Sequence, residues 1–92
     1  MAEPNGALRD TGDRDEMDAQ GLTSHADYRL KDGVLYIDYV FAPPQLRGTG
    51  ASDRLMKAIG ADARAKGLTI TPICGYASMW LRRSSEFRDL VN

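Results

Sequence analysis

The pattern of apolar and polar residues predicts a β-hairpin over residues 22–42. From residue 22 to residue 30 the apolar and small side chains share one parity, which is typical of a half-buried strand. The turn signal Lys31-Asp32-Gly33 follows, and glycine readily takes the positive φ that a tight hairpin turn requires. Residues 34–42, VLYIDYVFA, are rich in β-branched and aromatic residues and stop at Pro43-Pro44, so they predict the second strand.

The residues before this hairpin carry weaker patterns. Residues 14–19 alternate only loosely, and they predict a first strand that ends at Gly21. Residues 1–13 combine proline, glycine, asparagine and aspartate with few apolar side chains, which predicts a disordered leader. A single domain is therefore expected over residues 14–92.

A glycine-rich loop after the hairpin leads into a predicted helix. Gly67 stands where a helix commonly ends in a left-handed residue. Gly60 falls in the middle of this helix, where it costs about 1 kcal/mol relative to alanine, and a close approach by another stretch of backbone would explain it. The helix itself is indicated by apolar residues spaced by three and four: Leu55, Met56, Ile59 and Ala63.

One more strand and one more helix complete the predicted order. Residues 68–73, LTITPI, read as a short strand, and Cys74-Gly75 reads as the turn after it. A second helix is expected from Tyr76, since Met79, Trp80 and Arg83 follow at helical spacing. Strands, loop, helix, strand and helix in this order predict the α+β class, with a small, antiparallel-rich mixed sheet covered by helices.

Composition and charge narrow the range of functions. The chain has 92 residues, 42% hydrophobic and 27% charged, which is ordinary for one small globular domain. Residues 1–20 hold six acids and two arginines, so the overall charge of −1 leaves a net charge of +3 on the remaining residues. This mild excess of base suits an anionic ligand, but it falls short of the basic surface that nucleic-acid binding requires.

The remaining composition argues against metal and membrane functions. A single cysteine and a single histidine, Cys74 and His25, make a poor set of metal ligands and allow no disulfide within the chain. No apolar stretch approaches the roughly 18 residues of a membrane span, and residues 1–16 lack the features of a secretory signal. We therefore expect a cytoplasmic protein without a metal, a membrane partner or a nucleic-acid partner.

The loop Arg47-Gly48-Thr49-Gly50-Ala51-Ser52 is the strongest candidate for a ligand site. A helix N-terminus offers unpaired amides and the positive end of the helix dipole, glycines let a phosphate come close, and Arg47 adds charge-assisted hydrogen bonds. A tight turn without a ligand has the same residue spacing, so the loop alone leaves both interpretations open. The spacing excludes a P-loop, and Asp53 occupies the position of the third glycine in a dinucleotide fingerprint.

Residues 43–56, PPQLRGTGASDRLM, resemble the acyl-CoA loop of the GNAT superfamily of acyl-CoA-dependent N-acyltransferases. Its motif, [QR]-x-x-G-x-[GA], is matched by Arg47 and Gly50, with serine at the last position. The resemblance covers roughly residues 14–91 and is similar to the short YjdJ-type branch, which carries P-x-C-x-Y followed by a helix into R-H-P-E-[YF]. Here the first of these motifs is present at Pro72, Cys74 and Tyr76, whereas Ser84-Ser85 replace His-Pro and Tyr39-Val40 replace a His-Thr pair.

The resemblance implies a GNAT-like fold that binds acetyl-CoA as co-substrate and transfers its acetyl group to an amine. The pantetheine arm would run beside residues 39–42, and the pyrophosphate would lie on residues 47–52. Main-chain amides near Phe41 would stabilise the oxyanion, and Cys74 or Tyr76 would protonate the leaving thiolate. The implied cofactor contacts are Tyr39, Val40, Phe41, Ala42, Arg47, Gly48, Thr49, Gly50, Ala51, Ser52, Cys74 and Arg83.

Several of these residues also have a purely structural interpretation, in which they contact no ligand. Cys74 is interpreted first as a small core residue, second as a proton donor and last as an acyl acceptor. His25 is interpreted first as a solvated surface residue and only secondarily as a base. Arg82 and Arg83 are typical of a solvated helix face, although Arg83 could reach an adenosine phosphate.

The function itself also has alternatives. The leading hypothesis is an enzyme that acetylates an unidentified amine. The alternative is a module that binds CoA or acyl-CoA without catalysis, and a third is a protein-interaction scaffold that uses only the fold.

Overall fold

The computed structural model describes residues 8–92, which form one five-stranded sheet with two helices. The strands follow one another across the sheet in chain order; the first four are antiparallel, and the last pair is parallel. The predicted mixed α+β architecture is confirmed. The elements are β1 (Leu8–Asp10), β2 (Arg14–Ala19), β3 (Leu22–Lys31), β4 (Val34–Phe41), α1 (Ala51–Ala65), β5 (Thr69–Pro72) and α2 (Gly75–Arg83), with single 3₁₀ turns at Pro44–Leu46 and Arg88–Leu90.

The hairpin of β3 and β4 closes where the sequence predicts it. Asp32 and Gly33 have φ of 52° and 78°, so both central residues adopt the left-handed conformation of a type I′ turn. Lys31 pairs directly with Val34 across this turn. The two-residue turn fixes the register of the hairpin, and therefore which side chains of β4 face the core.

The prediction of a disordered leader is wrong for residues 8–10, while residues 1–7 lie outside the described residues. Leu8–Asp10 forms β1, which pairs antiparallel with β2, so the strand at residues 14–19 is the second of the sheet. Arg9 donates hydrogen bonds to Glu16 and Asp18 at 3.0–3.1 Å. Pairing with β2 and these ion pairs are tertiary contacts that the local composition does not reveal.

One face of the sheet packs against both helices and forms the core. The opposite face, which we call the helix-free face, carries Arg14 and Glu16 of β2, His25 and Asp27 of β3, and Tyr39 and Phe41 of β4. The four apolar residues whose spacing predicts α1 are all buried. The core consists of Met17, Ala26, Leu35, Ile37, Leu55, Met56, Ile59, Ala63, Ile70, Ala77, Leu81 and Phe87.

Gly60 does approach another part of the chain closely, but the neighbour is a side chain. A Cβ at position 60 would lie 2.8 Å from the ring of Phe87. Phe87 is buried and stacks on Trp80, with 6.2 Å between the ring centroids. The missing side chain therefore lets the segment after α2 pack directly on α1, and the expectation of a backbone neighbour is corrected.

A β-bulge interrupts the pairing of β3 with β4. Asp27 pairs with Tyr39 while Tyr28 pairs with Ile37, which leaves Asp38 as the extra residue. Asp38 accepts two hydrogen bonds of 2.8 Å from Arg29. Strict alternation would place residues 37 and 39 on one face, whereas Ile37 is fully buried and Tyr39 is 52% exposed on the opposite face.

A buried acid lies towards the hairpin end of the sheet. Asp15 is 4% exposed, and its Oδ1 atom has no hydrogen-bond partner within residues 8–92. It borders a cavity of about 30 Å³ that Asp10, Asp62 and Lys66 also line. Burial, and then the charges of Asp10 and Asp62, raise the pKa of Asp15 from 3.8 to about 6.

This pKa predicts a stability difference that depends on pH. Folded Asp15 keeps its proton up to about pH 6 and the unfolded chain releases it near 3.8, so its contribution to the free energy of unfolding falls as pH rises between these values. Asp15→Asn should match the wild type at pH 4 and exceed it by up to about 3 kcal/mol at pH 7 in urea denaturation. Asp32→Asn, an exposed control in a turn, should show no such difference. Equal stabilities of Asp15→Asn and wild type at pH 7 would contradict the assignment.

Candidate functional site

The parallel strands β4 and β5 separate at Ile37. Their last paired residues are Ile37 and Pro72, and the Ile37 carbonyl then accepts hydrogen bonds from the amides of Ile73, at 2.9 Å, and Cys74, at 3.1 Å. Beyond this point β4 continues beside β3 alone, so within residues 8–92 the other side of residues 38–41 has no strand partner. We call this stretch the open edge. It offers unpaired main-chain groups to an extended ligand.

The glycine loop, residues 47–52, follows β4 after one 3₁₀ turn. Gly48 and Gly50 have φ of 83° and 84°, a conformation that residues with a Cβ rarely adopt. The Thr49 hydroxyl and amide both donate to the carbonyl of Leu46, which holds the loop against the preceding turn. The two glycines therefore let the chain turn sharply into α1.

The N-terminus of α1 is open to an anion. Its first intrahelical hydrogen bond runs from the Arg54 amide to the Gly50 carbonyl at 3.0 Å, and no side chain caps the helix. The amides of residues 51–53 thus have no hydrogen-bond partner among residues 8–92. Unpaired amides at the positive end of a helix dipole are suited to a phosphate group.

Two arginines lie beside these amides. Arg47 donates from Nε to the carbonyl of Ala42 at 3.2 Å, and its guanidinium has no carboxylate partner within residues 8–92. Arg54 donates from Nη1 to the carbonyl of Thr49 at 3.2 Å. Sequence analysis identified Arg47 through the loop motif and missed Arg54, because only its position one turn into α1 brings it back to the loop.

Asp53 is the one acid in the first turn of α1, and two groups hold it. Its Oδ1 atom accepts a hydrogen bond from Trp80 Nε1 at 2.7 Å, and its Oδ2 atom lies 3.6 Å from Lys57 Nζ. These contacts tie the carboxylate to α2 and to the second turn of α1, and they offset part of its charge near the free amides.

Tyr76, in the first turn of α2, lines a cleft of about 250 Å³ together with the glycine loop. Burial is the main cause that raises the pKa of its phenol above the ordinary value, and the negative charge of Asp53 adds to it. The phenol is therefore protonated at neutral pH and can act as a proton donor. The structure brings the two parts of the predicted site together: the loop and Tyr76 share this cleft.

Comparison with known proteins identifies the family. A family model described as GCN5-related N-acetyltransferase matches residues 14–90. The chain belongs to this family. Its fold also matches the solution structure of a candidate GCN5-like N-acetyltransferase from Staphylococcus aureus, with a TM-score of 0.70, 21% sequence identity and coverage of 98% of this chain and 91% of that chain. No curated protein matches the sequence significantly.

Cys74 lies where β5 turns away from β4. It is half-buried, packs against the core and precedes the first residue of α2. No hydrogen-bond partner of its thiol is found in residues 8–92. Cys74 therefore contacts the core and also lies at the point where the open edge begins.

The predicted cofactor contacts on β4 divide between the two faces. Val40 packs against the core and Ala42 is buried, so only their main-chain groups are available to a ligand. Tyr39 and Phe41 place their rings on the helix-free face instead. The division follows from the bulge at Asp38, which sequence alternation does not indicate.

Arg83 lines a cleft that adjoins the cleft of Tyr76 at Asp53, a residue that borders both. Lys57, Trp80 and Glu86 also border this second cleft of about 450 Å³, and Arg83 is not among the residues that line the cleft of Tyr76. Next to Arg83, the Ser84 hydroxyl accepts hydrogen bonds from the amides of Glu86 and Phe87. The Ser84 side chain therefore caps the turn that brings Phe87 to α1.

The interpretation of His25 as a solvated residue is wrong. Its side chain is only 17% exposed and lies against the rings of Phe41 and Tyr39. The strand looked polar in sequence because its aromatic neighbours belong to β4.

No helix within residues 8–92 is long and apolar enough to cross a membrane. The same part of the chain contains no cluster of three or more acidic, histidine or cysteine residues suited to a metal ion.

The loop geometry predicts the effect of removing Arg47. Arg47→Ala should weaken acetyl-CoA binding about 10- to 100-fold by titration calorimetry, because a charge-assisted contact contributes about 1.5–3 kcal/mol. Arg47→Lys should retain part of the affinity, since it keeps the charge but loses the planar fork. Arg88→Ala, a surface arginine after α2, serves as the control. Unchanged affinity in Arg47→Ala would mean that Arg47 only stabilises the turn, through its hydrogen bond to the carbonyl of Ala42.

Proposed function

We propose that the protein transfers the acetyl group of acetyl-CoA to a primary amine by direct attack of the amine on the thioester. One observation carries the proposal. The open edge of β4, the uncapped N-terminus of α1 and the protonated Tyr76 converge at the same end of the sheet. Membership of the GCN5-related N-acetyltransferase family supports the same conclusion.

The co-substrate binds across these features. Its pyrophosphate lies on the free amides of residues 51–53, where the helix dipole and Arg47 stabilise the negative charge. Its pantetheine arm lies along the open edge as an added strand and pairs with the main chain of residues 39–41. This arrangement directs the thioester towards Cys74 and Tyr76, at the point where β4 and β5 separate.

The chemistry then needs no covalent enzyme intermediate. The amine nitrogen, in its neutral form, attacks the carbonyl carbon, and main-chain amides near Phe41 stabilise the negative charge on the oxygen. The carbon–sulfur bond breaks, the sulfur takes the phenolic proton of Tyr76, and the nitrogen gives up its extra proton to solvent water. Solvent then returns a proton to Tyr76, so the enzyme is restored.

In this mechanism Cys74 helps to enclose the thioester and is not the nucleophile. A nucleophilic cysteine needs a base that accepts its proton, and the Cys74 thiol, which packs against the apolar core, makes no hydrogen bond to a side chain of residues 8–92. Its half-buried position instead makes it one wall of the space for the thioester.

The proton-donor role predicts a specific loss in Tyr76→Phe. The value of kcat should fall of the order of 10²-fold, while the affinity for acetyl-CoA stays within about twofold, because the phenol acts only on the leaving sulfur. Release of free CoA thiol with a panel of amines measures the rate. Tyr36→Phe, in β4 and not among the residues that line the cleft, is the matched control. An unchanged kcat in Tyr76→Phe would remove the residue from the mechanism.

Direct transfer predicts that Cys74→Ala keeps most of the activity. Mass spectrometry of the wild type with acetyl-CoA and no amine should detect no acetyl adduct on Cys74. A stoichiometric adduct that disappears on addition of amine, together with an inactive Cys74→Ala, would show a covalent route instead. Binding of acetyl-CoA without acetylation of any amine would favour the non-catalytic module.

A further inference from the structure

The hydroxyl of Ser52 lies in the same cleft as the phenol of Tyr76. Ser52 is the second residue of α1, Tyr76 is the second residue of α2, and both line the cleft of about 250 Å³. The amide of Ser52 is one of those at the N-terminus of α1 that have no partner within residues 8–92. The acyl-CoA loop motif has glycine or alanine at this position, so anion binding by the amide does not require the hydroxyl. The side chain of Ser52 is therefore available for another role.

A hydrogen bond between the two helices holds Ser52 beside Tyr76. Asp53 follows Ser52 in α1, and its Oδ1 atom accepts a hydrogen bond of 2.7 Å from Nε1 of Trp80. Trp80 lies about one helical turn after Tyr76 in α2. Because this bond joins the beginning of α1 to the beginning of α2, it fixes the separation of Ser52 and Tyr76 across the cleft.

The groups around the phenol differ in their effect on its proton. Burial raises the pKa of Tyr76 most, and the charge of Asp53 and the neighbouring Cys74 thiol raise it further. The hydroxyl of Ser52 lowers this pKa, because its hydrogen bond to the phenol oxygen favours the phenolate. Arg47 of the loop also borders the cleft, where the proposed function assigns it to the pyrophosphate. Ser52 thus offsets part of the effect of burial on the proton donor.

We propose that Ser52 is a positioning residue for the proton transfer: its hydroxyl orients the phenol of Tyr76 and donates a hydrogen bond to the phenolate that forms. During this step the O–H bond of Tyr76 breaks, the S–H bond of CoA forms, and Ser52 keeps its own proton. Solvent water then returns a proton to the phenolate. The inference rests on the proposed function, in which Tyr76 is the proton donor, and it adds the residue that orients and stabilises that donor.

Titration of the phenol tests the contact without relying on turnover. The chain has four tyrosines, and their replacement by 3,5-difluorotyrosine lowers the pKa of each phenol towards neutral pH, where fluorine NMR can follow the ionisation of the folded protein. The Tyr76 signal is the one that Tyr76→Phe removes. Its titration midpoint should move to higher pH in Ser52→Ala and stay near the wild-type value in Ser52→Thr, which keeps the hydroxyl.

A second serine provides the control for this titration. Ser78 lies in α2, accepts a hydrogen bond from Arg82 and is not among the residues that line the cleft of Tyr76. The Tyr76 midpoint should therefore be the same in Ser78→Ala as in the wild type. A midpoint that stays unchanged in Ser52→Ala would overturn the inference and leave the proposed function standing.

A double-mutant cycle tests the role in the reaction. Ser52→Ala should lower kcat about 10-fold and leave the affinity for acetyl-CoA within about twofold, because the hydrogen bond to the developing charge is lost only in the transition state. In a Tyr76→Phe background the same substitution should cause no further loss, since the hydroxyl acts through the phenol. Ser52→Thr should retain most of the wild-type kcat.

Three results of this cycle would contradict the inference. An equal loss of kcat in both backgrounds would indicate a structural role for Ser52. A loss of acetyl-CoA affinity with an unchanged kcat would assign the hydroxyl to the pyrophosphate instead of the phenol. An unchanged kcat in Tyr76→Phe would overturn the proposed role of Tyr76, and the role of Ser52 with it.

Discussion

β5 leaves β4 at Ile37, whose carbonyl accepts the last two main-chain hydrogen bonds between these strands. A sheet normally satisfies its main-chain groups by continuing the ladder, so the separation leaves residues 38–41 with one unpaired side. Because both strands run in the same direction, the loop after β4 and the helix after β5 start from the same end of the sheet. The glycine loop, Cys74 and Tyr76 therefore meet there, and each part of the candidate site depends on this one separation.

The helices contribute electrostatics that the side chains alone do not supply. The N-terminus of α1 offers three amides that have no hydrogen-bond partner within residues 8–92, and Arg47 of the loop and Arg54 of α1 lie beside them. The acid in that first turn, Asp53, is held by Trp80 and Lys57. The hydrogen bond from Trp80 to Asp53 also links α1 to α2, and Phe87 packs on Gly60 further along α1. The hydrogen bond that offsets part of the charge of Asp53 therefore also fixes the position of α2, and with it Tyr76.

A single extra residue in β4 determines which of its side chains face the core and which face the helix-free side. Asp38 bulges from β4, so Ile37 stays in the core while Tyr39 and Phe41 turn to the helix-free face. The open edge then has main-chain groups along its side and aromatic rings above it, next to His25. Bulges next to functional sites commonly redirect side chains in this way.

The sequence by itself determined both helices, the strands β2 to β5, the loop and the family resemblance, because each depends on residues near one another in the chain. Apolar spacing located α1, turn chemistry located the hairpin, and Arg47, Gly50, Cys74 and Tyr76 were identified through short motifs. Tertiary structure alone decided three matters: that residues 8–10 pair with β2, that His25 packs against β4, and that Arg83 lines a second cleft, which adjoins the first at Asp53. Each of these depends on contacts between residues distant in sequence. The bulge at Asp38 is the decisive case, since pairing with β3 shifts by one residue there and periodicity within β4 carries no trace of it.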